Sequence, residues 1–167
     1  MTDPVQSFVS TATDFCAFVE SSNELTPTQF IHRARRLIPQ LYLCGLSLPR
    51  LDPTELDSPR EITHEEWDLT WQSLQQCLAK YDFYWKIFDP GELNVKDPVN
   101  TQLSDDLADI WRDLKNGLIH WESASEALRQ QIVWEWRKTF DIHWSAHVVD
   151  ALRVLDWTVS YYDLSDA

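Results

Sequence analysis

Glycine is nearly missing from this chain: 3 residues in 167, none of them in a G-x-G-x-x-G or Walker-type pattern. A loop that cradles phosphates with its backbone N–H groups is therefore excluded. Positive charge is also scarce. Lys plus Arg number 14 against 27 Asp plus Glu, a formal charge of −13. With no basic run, the chain is not expected to bind nucleic acid, whose phosphates demand clustered cations. Long apolar runs are lacking too. None approaches the roughly 18 residues that span a bilayer, so no membrane partner is expected. The opening Met1-Thr2-Asp3-Pro4 has neither the basic start nor the apolar stretch of a signal peptide, which makes the cytoplasm the expected compartment. Only 3 cysteines occur, with no C-x-x-C. Cys16 and Cys77 fall in apolar helical registers and read as buried free thiols. No G-x-S-x-G motif is present, and no catalytic residue is assigned.

What is present is apolar and helical. Hydrophobic residues make up 44% and aromatics 13%, including 9 Trp, too apolar for disorder. The length suits a single domain over residues 1–167. Asp3 and Pro4 form a helix start, followed by Val5, Phe8, Val9, Ala12, Phe15, Cys16 and Val19 at helical spacing, a helix over about residues 4–21. Thr26-Pro27 opens a second helix with Phe30, Ala34, Leu37, Ile38 and Leu41 on its buried stripe. Pro39 should kink it, and Gly45 and Pro49 should end it. Its cluster His32, Arg33, Arg35 and Arg36 is either a solvated face or a partner for acidic groups elsewhere. Residues 49–62, with three prolines, read as a loop.

Thr63 and Glu66 make a capping box for a third helix, with Ile62 and Trp67 placed as a hydrophobic staple. An aromatic segment, Phe83 to Phe88, is turned by Asp89-Pro90-Gly91, and residues 91–102 read as a second loop. A fourth helix begins at Ser104, where Asp105 and Asp106 suit the positive end of the helix dipole. Ser123 and Glu126 are read as a capping box for a fifth. The apolar stripe drifts near Asp141–Ser145, leaving open whether residues 124–160 form one helix or two. No alternating segment of useful length signals a strand. The expected fold is all-α: an antiparallel bundle of about five to seven helices, with some Trp side chains at the rim.

Three stretches, Tyr81 to Pro90 (YDFYWKIFDP), Ser104 to Leu118 (SDDLADIWRDLKNGL) and His143 to Trp157 (HWSAHVVDALRVLDW), resemble the DUF5063 domain family of bacterial helical proteins. The resemblance implies an all-α fold. It carries no activity and no site residues.

Two constellations could carry chemistry. His143, His147 and Asp150 stand at i, i+4 and i+7, on one helical stripe. Two imidazoles so spaced can share a metal, with Asp150 as third ligand or as an orienter of a ring, and with a further ligand from His64, flanked by Glu61 and Glu65, or from His120. Asp106, Asp109 and Asp113 form a second stripe beside an apolar face. With Glu65 and Asp68 they resemble the acidic pairs with which all-α nucleotide pyrophosphohydrolases hold Mg²⁺. The plainer alternative for both stripes is local hydrogen bonding and solvated ion pairs. The remaining signal is global. A strongly acidic, Trp- and Tyr-rich surface suits binding of a protein partner, in particular a basic one, in the manner of an inhibitor or immunity protein. Partner binding is the preferred expectation; a divalent-metal-dependent hydrolase is the alternative, and no cofactor beyond such a metal is expected.

Overall fold

The computed structural model describes residues 3–56, 61–87, 91, 94 and 97–164. The fold is all-α apart from one small hairpin. In chain order it comprises α1 (Pro4–Glu20), α2 (Pro27–Ser47), α3 (His64–Leu78), β1 (Phe83–Lys86), β2 (Val99–Gln102), α4 (Leu103–Trp121), α5 (Glu126–Thr139) and α6 (Ser145–Tyr161). Short 3₁₀ turns follow α1 and α3, and a π turn, Phe140–Trp144, joins α5 to α6. Asp89 and Pro90, expected to turn the aromatic segment, lie outside the described residues.

Most helix starts follow from local chemistry. The Asp3 carboxylate accepts from the Val5 N–H at 3.1 Å, with Pro4 in the first helical position. Capping boxes close around Thr26 with Gln29 and around Thr63 with Glu66. Two expectations are corrected. The N-cap of α5 is Ser125, whose hydroxyl accepts from the Leu128 N–H, while Ser123 bonds back to the His120 carbonyl at the end of α4. Gly45 does not end α2. It is buried within the helix, and a Cβ there would stand 2.6 Å from Trp144 and 2.7 Å from Phe140. Glycine is needed at this point for close approach, not for its φ freedom.

The core is one cluster built on large rings. Phe8, Phe15, Phe18, Phe30, Trp136 and Trp144 are fully buried. The two fully buried indoles find backbone acceptors: Trp136 donates to the Leu114 carbonyl at 3.1 Å and Trp144 to the Trp136 carbonyl at 3.3 Å. The expected rim rings exist as Trp85 and Trp157, both more than half exposed. Of the basic cluster on α2, Arg35 pairs with Asp156 on α6. The drift of the apolar stripe near Asp141–Ser145 is absorbed by the π turn, so residues 126–161 run as one helical rod with a widened turn.

The hairpin corrects the expectation that no strand would form. β1 pairs antiparallel with β2, in the register Phe83 with Gln102 through Lys86 with Val99. Its alternation is inverted: Phe83 and Trp85 face outward, while Tyr84 is buried and Lys86 half-buried. A search for apolar-inside alternation passes over such a strand. No helix among the described residues is long and apolar enough to cross a membrane.

Candidate metal centre

The two stripes singled out in the sequence meet face to face. α4 carries Asp106, Asp109 and Asp113, the π turn carries His143, and α6 carries His147 and Asp150. His147 Nδ1 lies 2.7 Å from Asp106 Oδ1, and His143 Nδ1 lies 2.7 Å from Asp113 Oδ2. An ionised carboxylate only accepts. Each ring therefore carries a proton on Nδ1 and, when neutral, presents the Nε2 lone pair. The two rings pack edge to face with centroids 4.8 Å apart.

Between them stands Asp109. One of its oxygens, Oδ1, accepts from the Trp67 indole at 3.0 Å and from Arg112 at 2.7 Å. The other, Oδ2, is 3.6 Å from His147 Nε2, too long for a hydrogen bond. One donor atom each from Asp109, His143 and His147 lies within 4.8 Å of the others. The ligands of a tetrahedral Zn²⁺, held at about 2.0–2.1 Å from the ion, stand roughly 3.3 Å apart. A contraction of up to about 1.5 Å across the trio would bring it to coordination geometry. Asp109, His143 and His147 are all partly buried, so solvent reaches part of each side chain.

Behind this trio lies a second layer that the sequence did not announce. Asp106 is fully buried, yet it receives the Tyr84 hydroxyl, the His147 ring N–H and, at 3.5 Å, the Lys86 ammonium. Lys86 also donates to Asp150 at 2.9 Å. Asp82, likewise fully buried, accepts from the Ser104 N–H at 2.7 Å and from the Ser104 hydroxyl at 3.0 Å. Asp82 thus caps α4 from outside that helix. Tyr84 and Lys86 share one face of β1 by the two-residue period, while Asp82 precedes the strand in helical backbone conformation. That period is the only sequence signal they carry.

Charge balance at the site follows from these contacts. The hydrogen bond to Asp113 raises the His143 imidazole above its ordinary value, against the opposing effect of burial. Burial acts to lower Lys86, but its hydrogen bond to Asp150 and the charges of Asp106 and Asp150 together raise it, so it stays an ammonium. Burial, then the charge and hydrogen bond of Asp106, push the Tyr84 phenol up, so it remains a donor. Burial and the neighbouring Asp109 and Asp106 raise Asp105.

The expected ligands are thus sorted by position. Asp109, His143 and His147 converge. Asp106 and Asp113 stand behind the rings and orient them, and Asp150 is bound to Lys86. His64 stacks on Trp67, with ring centroids 5.5 Å apart, and His120 sits in the last turn of α4. The third donor beside the histidines comes from α4, not from either of these. On α3, Asp68 accepts from Gln72 of its own helix at 2.7 Å, and Glu65 is exposed.

Residues 1–160 match the family described as "Domain of unknown function (DUF5063)". The crystal structure of protein BF1032 from Bacteroides fragilis is similar, with a TM-score of 0.82 and 25% sequence identity over 93% of this chain and 91% of that one. No curated protein matches the chain.

Proposed function

The chain belongs to the DUF5063 family, whose function is unknown, and from the site alone we propose that it binds a divalent transition-metal ion through Asp109, His143 and His147. One observation carries this reading: both imidazoles are locked through Nδ1 to separate carboxylates, the His147 Nε2 so freed lies 3.6 Å from Asp109 Oδ2, an oxygen with no other partner among the described residues, and His143 brings a donor atom within 4.8 Å of both residues. Carboxylate–histidine pairs of this kind fix the tautomer and raise ligand basicity. Two imidazoles and one carboxylate suit Zn²⁺, Fe²⁺ or Mn²⁺ better than Mg²⁺, which prefers all-oxygen sites. Three protein ligands leave positions for water and a substrate oxygen, the arrangement of a hydrolytic or otherwise open centre. The pyrophosphohydrolase version of this reading draws less support, because the carboxylates of α3 are engaged locally or exposed.

Thermal melts of chelator-treated protein with Zn²⁺, Mn²⁺, Co²⁺ or Mg²⁺ test the proposal. A several-degree rise with a transition metal, absent with Mg²⁺ and lost in Asp109→Asn, supports it. Equal melts with every ion refute it.

A second reading is binding of a basic protein partner. It is favoured by the formal charge of −13 together with the exposed apolar side chains Leu43 and Leu46 on α2 and Ile142 and Val149 around the π turn and α6. Such an association would weaken steeply with added salt.

A further inference from the structure

A second site of different character lies on the outer side of the hairpin. A cavity of about 540 Å³ opens between β1 and the C-terminal half of α6. It is lined by Phe83, Tyr84, Trp85, Val154, Trp157 and Tyr162, and its cation is Arg153. The volume is within the range of small-molecule pockets, roughly 300–1,000 Å³. The rings are held by one another as well as by the backbone. Trp157 packs edge-on to Tyr162 with centroids 6.1 Å apart, and Tyr162 packs edge-on to Tyr81 at 5.0 Å.

Arg153 sets the chemistry. Nearby cations are spoken for, Lys86 by Asp150 and Arg35 by Asp156. Arg153 makes only a long hydrogen bond, 3.4 Å, to the Trp85 carbonyl, and no carboxylate among the described residues pairs with it. A second cation, Lys80, stands over the Tyr81 and Tyr162 rings at 5.0 and 5.6 Å. In a chain of formal charge −13, an aromatic cavity flanked by two cations without carboxylate partners among the described residues is complementary to one kind of solute. We infer that this cavity binds a planar aromatic carboxylate, its rings stacked among Trp85, Trp157 and Tyr162 and its carboxylate on the Arg153 guanidinium. A guanidinium offers a carboxylate two parallel N–H donors, and aromatic faces accept a flat ring with little ordering cost. The inference is independent of the metal centre. The two sites share only Tyr84, which lines the cavity and whose hydroxyl meets Asp106.

The test is a titration of the full chain with 2-naphthoate, followed by the indole N–H signals in two-dimensional NMR. Trp157→Phe and Trp85→Phe assign those signals. Saturable shifts of the Trp85 and Trp157 indoles are expected. Arg153→Gln, a change at an exposed side chain, should weaken binding on the order of tenfold. The uncharged analogue 2-naphthalenemethanol should bind the native protein as weakly as naphthoate binds the variant. Absence of saturation at millimolar naphthoate, shifts confined to other indoles, or equal binding of the acid and the alcohol would each overturn the inference.

Discussion

His147 Nδ1 and Asp106 Oδ1 lie 2.7 Å apart, and this contact joins α6 to α4 and both to the hairpin. Asp106 is the meeting point: Tyr84, Lys86 and His147 all bring donors to one fully buried carboxylate. Removing it strands the buried Tyr84 hydroxyl and the His147 ring N–H, and deprives the half-buried Lys86 ammonium of one of its carboxylates. Asp106→Ala is expected to destabilise the protein by about 3–5 kcal/mol, the usual cost of breaking a buried ionic network from one side. Urea unfolding monitored by circular dichroism measures this. A loss under about 1 kcal/mol would show that water replaces the carboxylate.

The Asp113–His143 pair gives a pH signature in metal-free protein. The imidazole is raised in the folded state, mainly by its hydrogen bond to Asp113. The stability it contributes is therefore fully present below the unfolded value, about 6.5, and is lost as pH rises through the raised folded value. Asp113→Asn should lower the His143 midpoint in an NMR titration. The stability gap between native protein and variant should shrink on going from acid to alkaline pH. Both effects are moderated by solvent, because the His143 side chain is 38% exposed.

Orienting carboxylates and ligating groups should differ in degree. His147→Ala removes a ligand and should abolish transition-metal binding. Asp113→Asn leaves the ligand but loosens its ring, and the expected loss in affinity is about 10- to 100-fold. Competition against a chromogenic chelator separates the two.

Close packing makes a prediction one helical turn beyond Asp113 on α4. A Cβ at Gly117 would stand 2.5 Å from the Trp136 ring and 2.6 Å from Ile132. Gly117→Ala should cost about 1–3 kcal/mol, since neither neighbour is a flexible side-chain end. That corresponds to a fall in Tm of several degrees for a chain of this size, roughly 2–4 °C per kcal/mol.

The helices and most of their caps were legible in the sequence because their causes are local: an apolar period of 3.6, Pro4 after Asp3, Thr63 three residues before Glu66. Errors came where the cause lies elsewhere in the chain. Gly45 reads as a terminator until Trp144 and Phe140 are seen against it. Ser104 lacks a visible cap because Asp82 supplies it from outside the helix. β1 escaped notice because its polar residues face inward. The site was half legible. Periodicity placed Asp106, Asp109 and Asp113 on one stripe and His143 and His147 on another. That the stripes face each other is a tertiary fact. Periodicity also cannot say which carboxylate converges with the rings and which stands behind them, so Asp109 was indistinguishable from its neighbours.

The central claim is that Asp109, His143 and His147 form one coordinating unit. Calorimetric titration of Zn²⁺ into chelator-stripped protein tests it most directly, run alongside His147→Ala. The account expects saturable binding of one ion per chain, with proton release that grows as pH is lowered toward the His143 midpoint, and no such binding in the variant. Absence of saturable heat in the native protein, or an unchanged isotherm in His147→Ala, would contradict it.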